Sequence, residues 1–452
     1  MLLSSFRKGD SFMRSIRKIV VVGANGSMGS AAGAVFAAAG IPTVFLARTV
    51  NKAEAGRARA LQLTKGQLPP HTITCGTYAS DLGHALAEAD LIFEAVSEDA
   101  AIKHALFTRI DRLRSRSDTI VATGSSGLSI GGLCAGTSAS FQHNFIGVHL
   151  FNPPTTLAGC ELIPHASTDL GVIAIVRDFL TTRLGREVIE TADTPAFAGN
   201  RVGFKVLNEV AQLAEEHGVA FMDQLVGSHT GRALPPLATI DLVGWDVHKA
   251  IVDNLYANTH DIAHKQFCLP AYMQRGIDRG HLGRKTRDKG GFFRLEGKGA
   301  GARQLVLDPA TGDYRPLAEI APPPPAFVES MKAQIRSGRD HGYRGAMEIL
   351  CTAVGKEAEL LRRIVLGYVS YGLGLVGDVV ARPRDIDRIM GFGFQWAPPS
   401  ILVDAIGPAR TIVLLERARL PVPPAIISAA VHQRALFNEP HVDNGRFFVA
   451  AA

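Results

Sequence analysis

The sequence predicts an α/β protein: a doubly wound parallel-sheet domain, followed by two all-helical domains. Three observations carry this. A β-branched run, Ile19–Val22, leads at once into glycines at 23, 26 and 29 and an alanine-rich stretch that closes at Gly40. Short apolar runs ending in polar loops recur through residue 192, and such runs read as strands buried on both faces of a parallel sheet. From Asp193 the pattern turns to long helical periodicity, and it does so twice. PPLATIDLVG (235–244) and PPSILVDAIG (398–407) share Pro-Pro-x4-Asp-x2-Gly, and MDQL (222–225) has a counterpart in IDRI (386–389), which marks an internal duplication.

Composition narrows the function classes. A chain of 452 residues, 46% hydrophobic and 20% charged, can bury sizeable cores in several domains. The net charge of +6 is spread along the chain, with no basic stripe or reading motif, so no nucleic-acid partner is expected. Phosphate-bearing small molecules suffice to explain it. The five cysteines (Cys75, Cys134, Cys160, Cys268, Cys351) are widely spaced and form no CxxC, so neither a disulfide framework nor a metal site is expected. Free thiols fit a reducing cytoplasm. HDIAH (260–264) lacks the glutamate of a zinc-protease motif and reads as one helix face with two exposed histidines. No apolar stretch is long enough to cross a bilayer, so no membrane partner is expected. Residues 1–17, rich in basic side chains and serine, read as a short tail.

Taken in order, Lys18–Arg48 reads as strand, glycine turn, helix and strand, the second strand being Thr43–Leu46. In this dinucleotide-binding signature, glycines let the backbone approach a pyrophosphate at a helix N-terminus. The turn comprises Gly23, Asn25, Gly26, Ser27, Met28 and Gly29. Gly23 and Gly26 stand three apart instead of two, so a slightly longer loop is expected, with Asn25 absorbing the extra residue in a left-handed conformation. Ala89–Val96 reads as a short buried strand ending in acids at Glu94, Glu98 and Asp99. Thr119–Ala122 is another, opening into TGSSG (123–127). Phe145–Val148 delivers His149 at a strand end, stopped by Asn152 and the pair Pro153-Pro154. Glu161 follows twelve residues after His149, past a small-residue loop. A histidine with a carboxylate returned to it is an acid/base pair in one reading. In the other it is a structural histidine beside a solvated glutamate.

The dinucleotide domain is therefore placed at 18–192. A first helical repeat occupies 193–294, its helix starting at Asp193-Thr194-Pro195, with Leu207, Val210 and Leu213 on one face. A linker rich in Gly, Pro and charge follows at 295–345. The second repeat is placed at 346–420 and a C-terminal extension at 421–452.

FEAVSED with Lys103 beyond it, TGSSG, HLFNPP with Glu161, DTPAFAGNR, DLVGWD and LGRKTRDKGGFF occur in this order. On these motifs, over residues 18 to 416, the chain resembles the 3-hydroxyacyl-CoA dehydrogenases, in a long form without an enoyl-CoA hydratase domain. The resemblance implies a Rossmann-type domain followed by two helical domains like that of 6-phosphogluconate dehydrogenase. It implies reversible oxidation of an L-3-hydroxyacyl-CoA to the 3-oxoacyl-CoA, in fatty-acid or related acyl-CoA metabolism. His149 is then the general base and Glu161 its orienting partner. Asn200 lies close to the reacting carbonyl, Ser126 touches substrate and nicotinamide, and Glu98, Lys103, Asn152 and Lys285 contact the cofactor. Without the resemblance, Asn200 reads as a helix cap and Lys103 as a solvated helix face. Two departures stand out: Gly124 and Ser125 replace an asparagine and a threonine, and Ala47-Arg48 replaces the acid after the second strand. NAD is implied by resemblance, whereas Arg48 suggests NADP. An acyl-CoA is the implied partner, with a homodimer or a separate hydratase both open. The rivals are a catalytically silent relative that binds dinucleotide or acyl-CoA, and a prephenate-type dehydrogenase, whose glycine turn is similar but which does not explain HLFNPP or the duplication.

Overall fold

The computed structural model describes residues 15–69, 71–297, 299–337 and 343–437. Nearly all of the tail expected at 1–17, and the end of the extension expected at 421–452, lie outside the described residues. The chain divides into two units. The first is Met1–Ser125, Ile130–Ala158 and Pro164–Val188; the second is Ser126–Ser129, Gly159–Ile163 and Ile189–Ala452.

The first unit is built on six parallel strands: β1 (Ile19–Val22), β2 (Thr43–Ala47), β3 (Ile73–Thr77), β4 (Leu91–Glu94), β5 (Ile120–Thr123) and β6 (Phe145–Leu150). They pair in the order β3-β2-β1-β4-β5-β6, with Ile19 opposite both Thr43 and Leu91. The chain steps outward from β1 to β3 and then returns to β4 on the other side of β1. That reversal opens a crevice beyond the carboxyl ends of β1 and β4, where such sheets take ligands. β1, β4, β5 and β6 are buried throughout, as their continuous apolar runs require. β3 was not legible beforehand: ITCGT holds two threonines and a glycine and alternates in exposure, so it shows no apolar run. The helix Ser27–Ala38 packs closely because its side chains are small. A Cβ on Gly33 would lie 2.2 Å from the Phe45 ring.

The second unit is mostly helical. Its first long helix is Gly199–His217, with Leu207 and Val210 buried. It starts later than Asp193-Thr194-Pro195 predicts, because Ala196 and Phe197 take left-handed φ values of 55° and 53° and turn the chain first. Val219–Leu225, Pro236–Val243, Trp245–Asn258 and Ala271–Asp278 follow. The second repeat reproduces the series with Lys356–Gly374, Pro383–Ile389, Pro399–Ile406, Pro408–Arg417 and Pro424–Val431.

The duplication is one of hydrogen bonds as well as helices. Asp223 accepts the N–H groups of Leu237 and Ala238 at 2.8 and 2.9 Å, and Asp387 accepts that of Ser400 at 3.0 Å. Asp241 accepts Phe292 and Phe293, and Asp404 accepts Leu436 and Phe437 in the same way. The second copy thus continues to residue 437, past the boundary expected at 420.

Two other expectations need correction. The stretch read as a linker holds an antiparallel sheet of Phe293–Glu296, Arg303–Leu307 and Tyr314–Pro316, and a helix, Ala326–Ser337, that packs on Tyr343–Thr352. Its strands are too short and too rich in charge to show a period. HDIAH is a bend following the helix Trp245–Asn258, and His260 and His264 do not share a helix face. Asp261 there accepts Arg201 at 2.9 Å and the Tyr371 hydroxyl at 2.8 Å. Among the described residues no helix is long and apolar enough to cross a membrane, and no group of His, Cys, Asp or Glu could hold a metal ion.

Candidate active site

The glycine turn joins β1 to the helix Ser27–Ala38. Gly23 has φ +89°, and a Cβ there would lie 2.5 Å from the Ala95 carbonyl oxygen, so only glycine fits. Gly29 is equally confined, with the Gly23 carbonyl oxygen 2.3 Å from its virtual Cβ. Gly26 differs. Its φ of −72° suits any residue, and the nearest protein atom to its virtual Cβ is 3.4 Å away. The left-handed residue of the loop is thus Gly23, and Asn25 has no positive φ. Ser27 is exposed and Met28 half-buried at the first helical turn, whose N–H groups have no side-chain cap. An uncapped helix N-terminus behind a glycine turn fits a dinucleotide pyrophosphate.

Beside this turn, at the end of β4, lies a buried charge cluster. Glu94 is wholly buried and receives Lys103 Nζ on both carboxylate oxygens, at 2.7 and 2.8 Å. It also accepts the Thr123 hydroxyl and the Val96 N–H, each at 2.6 Å. Burial raises the pKa of Glu94, and Lys103 is the main opposing influence. Lys103 is 1% exposed, so it is not on a solvated helix face, and it reaches Glu98 at 3.4 Å. Glu98 is exposed and accepts the Ser125 hydroxyl at 2.6 Å. Glu98 and Lys103, paired in the sequence reading only as cofactor contacts, are therefore also bonded to each other and to the loop after β5.

Glu161, Asn200 and Ser126 come together in the second unit. Glu161 lies on the strand Gly159–Ile163 and is fully buried. Its Oε1 accepts the N–H groups of Ala198 and Gly199, at 3.0 and 2.9 Å, where the helix Gly199–His217 begins. Ala198 has no side chain with which to cap that helix, and Glu161 supplies the acceptor and meets the positive end of the helix dipole. Asn200 is the second residue of the helix and donates from Nδ2 to the Ser126 carbonyl at 2.9 Å. Asn254 does the same for Gly127. Ser126 and Glu161 fall within residues 18–192, the span read as the dinucleotide domain, and these bonds tie both to the start of the helix Gly199–His217.

His149 is the penultimate residue of β6, 4% exposed, with its ring edge-on to Phe151 at 5.0 Å. Asn152 is exposed just after the strand, joined to Pro153 by a cis peptide. Lys285 is bound to Asp246 at 2.8 Å. Arg48 is exposed immediately after β2, without an ion pair among the described residues, and its charge opposes the effect of burial, which raises the pKa of Tyr78. Thr49, beside it, caps the next helix by accepting the Lys52 N–H.

No functional role for Glu94, Thr123, Tyr78 or Gly56 follows from the sequence motifs, yet the fold brings them to this site. Glu94 was detectable as an acid closing an otherwise apolar strand, since a buried carboxylate needs a partner. Gly56 was detectable as a glycine inside a helix. A Cβ there would lie 2.4 Å from the Ala24 carbonyl oxygen, so it lets the second helix approach the glycine turn.

The profile described as "3-hydroxyacyl-CoA dehydrogenase, NAD binding domain" matches residues 18–194, and "3-hydroxyacyl-CoA dehydrogenase, C-terminal domain" matches 197–292. The chain is 31% identical over 293 residues to "Probable 3-hydroxyacyl-CoA dehydrogenase" of Deinococcus radiodurans, 62% of this chain and 83% of that protein. It is 28% identical over 439 residues to the Bacillus subtilis protein of the same description, 91% of this chain and 53% of that one. The chain thus spans about half the length of several curated relatives it matches. The crystal structure of 3-hydroxybutyryl-CoA dehydrogenase from Escherichia coli K12 is similar in fold. Its TM-score is 0.65 at 21% identity, with 93% of this chain and 99% of that chain covered.

Proposed function

Because the chain belongs to the 3-hydroxyacyl-CoA dehydrogenase family, we propose that it interconverts an L-3-hydroxyacyl-CoA and the 3-oxoacyl-CoA, with a nicotinamide dinucleotide at the glycine turn. The observation that carries this reading is the arrangement of Glu161, Asn200 and Ser126. One buried carboxylate anchors the start of the helix that bears Asn200, and Asn200 in turn fixes the loop that bears Ser126. A set of polar side chains locked to one another in this way is preorganised for a substrate.

In this mechanism His149 takes the proton of the substrate 3-hydroxyl, a step that contributes about 10²–10⁴-fold to rate. Glu161 orients its ring and stabilises the imidazolium. The second Asn200 N–H and the Ser126 hydroxyl position the C3 oxygen. When bound, the nicotinamide supplies the hydride acceptor. Gly23, Asn25, Gly26, Ser27, Met28 and Gly29 hold its pyrophosphate, while Glu98, Lys103, Asn152 and Lys285 complete the cofactor contacts. At Gly124, where the resemblance implies asparagine, a Cβ would lie 3.0 Å from the Phe93 ring, so Phe93 occupies space a larger residue would need.

For the cofactor, NAD follows from the family, and Arg48 favours NADP. No acid stands after β2 to repel a 2′-phosphate, and the Arg48 fork can pair with one for about 1.5–3 kcal/mol. The test is turnover of acetoacetyl-CoA with NADH and with NADPH. Turnover with either supports the enzyme; binding of both ligands without turnover identifies a silent relative. Arg48→Ala is expected to raise the KM for NADPH by about tenfold and leave that for NADH nearly unchanged. Equal losses, or a wild-type preference for NADH, overturn the NADP assignment.

A further inference from the structure

A cavity of about 830 Å³ lies within the second unit, between the first helical repeat and the three-stranded sheet that follows it. None of its lining residues takes part in the dehydrogenase chemistry assigned above. Arg284, Arg287 and Arg294 line it. The first two are exposed, the third is stacked 4.3 Å over the Tyr314 ring, and none has an ion pair among the described residues. Their neighbours are engaged: Lys285 holds Asp246, and Lys289 donates to the Arg279 carbonyl.

The two carboxyl groups lining the cavity do not offset these charges well. Asp223 is held by the Leu237 and Ala238 N–H groups, and Asp241 by Phe292, Phe293 and the Trp245 indole. Burial pushes the acids up to about 7 and about 6 respectively. Cationic character therefore prevails near neutral pH. The remaining wall is largely apolar, with Phe293, Leu295 and Leu317. Gln224 also lines the cavity, and its side-chain carbonyl oxygen is buried with no hydrogen-bond partner among the described residues. A buried acceptor of this kind calls for a donor.

The arginines are not demanded by packing. Residues 279–291 connect the helix Ala271–Asp278 to the Phe292–Phe293 pair that Asp241 holds. In the second repeat only residues 432–435 separate Pro424–Val431 from the equivalent Leu436–Phe437 pair. That copy closes without any counterpart of the segment bearing Arg284 and Arg287.

We propose that this cavity is a second ligand site, for a phosphorylated nucleotide. Arg284 and Arg287 pair with its phosphates, the apolar wall takes its base, and an amino group of the base donates to Gln224. The volume lies in the range of small-molecule sites, roughly 300–1,000 Å³. An inorganic anion would leave the apolar wall uncovered, and a fatty acid has no N–H for Gln224. Two sources share this chemistry: a free adenine nucleotide, and the nucleotide end of a CoA thioester.

The test reads binding, not turnover, so it stands or falls apart from the dehydrogenase reading. Full-length protein saturated with NADH is titrated with ADP, with CoA and with inorganic phosphate by calorimetry. One arginine-dependent site per chain is expected, weakened at least about tenfold in Arg284→Ser/Arg287→Ser and weakened by salt. Saturation by ADP identifies a free-nucleotide site. Saturation by CoA but not ADP, with the same arginine dependence, identifies the nucleotide end of CoA. Both arginines are exposed, so the double variant is expected to melt as wild type does. Gln224→Leu provides a second variant that removes the acceptor and keeps the charge. The proposal is overturned if neither ligand shows binding that these substitutions weaken, or if phosphate binds as tightly as ADP.

Discussion

At the residue scale, the two imidazoles that matter most differ in what surrounds them. His149 stands at the end of a buried strand, and its role as base predicts a clean separation of functions. His149→Gln is expected to lose most turnover, by about 10²–10⁴-fold, while keeping dinucleotide affinity, because the glycine turn is untouched. Near-normal turnover of acetoacetyl-CoA in that variant would remove His149 from the site. His248 is structural. It is wholly buried, with Nε2 on the Asn208 side-chain oxygen at 2.9 Å, and burial lowers its pKa to about 3. The folded state therefore keeps it neutral while the unfolded chain takes up a proton below about 6.5. Its contribution is complete above that pH and declines as pH falls toward 3, by about 1.4 kcal/mol per pH unit. The stability advantage of wild type over His248→Gln is thus expected to shrink between pH 7 and pH 5 in denaturant unfolding, with pH values set as about those bounds. An advantage that grows on acidification would contradict the assignment.

At the element scale, the glycine turn separates folding from binding. Gly23 is confined by the protein itself, since its virtual Cβ meets the Ala95 carbonyl, whereas a Cβ on Gly26 would make only ordinary contacts, 3.4 Å from the Gly23 and 3.7 Å from the Ala95 carbonyl oxygen. Gly23→Ala is expected to destabilise the fold by about 1–3 kcal/mol through strain alone. Gly26→Ala should melt as wild type does yet bind dinucleotide at least about tenfold more weakly, because the added methyl takes the approach path of the pyrophosphate. Melting curves and dinucleotide titration of the two variants distinguish the cases. Unweakened binding by Gly26→Ala would mean that this turn does not hold the cofactor. The same element depends on Glu94, whose bond to the Val96 N–H shapes the backbone next to Gly23.

At the scale of the whole molecule, the second repeat completes the first. Arg232, from the first copy, is fully buried, lying 4.7 Å over the Trp396 ring and 5.4 Å from that of Tyr368. Burial pulls its guanidinium down to about 10, and Nε and Nη2 have no hydrogen-bond partner among the described residues. The faces of these aromatic rings partly compensate a buried cation. Tyr371 bonds both Arg201 and Asp261, and Phe394 packs against Gly203, where a Cβ would lie 2.3 Å from its ring. Deleting residues 346–452 is therefore expected to expose an apolar face and strip Arg232 of its cage. The truncated chain should aggregate or change its assembly in size-exclusion chromatography. A soluble 1–345 fragment of unchanged assembly and full activity would refute this.

Sequence by itself determined what depends on local pattern. The buried parallel strands followed from apolar runs, the glycine turn from its spacing, and the repeat from Pro-Pro-x4-Asp-x2-Gly, whose aspartates pin a distant backbone pair in both copies. His149 at a strand end was legible for the same reason. Tertiary structure alone decided what depends on partners distant in sequence. Glu161 is an anchor for a helix that begins 38 residues later, a bond no local pattern encodes. Lys103 belongs to Glu94 and not to solvent, because the helix bearing it turns that side chain inward beside β4. Asn25 was assigned the left-handed position that Gly23 takes, since the close approach of Ala95 comes from another strand. The segment 295–345 looked structureless because its short strands gain order only from one another. Periodicity reports which face of an element is buried; it carries no record of what that face will meet.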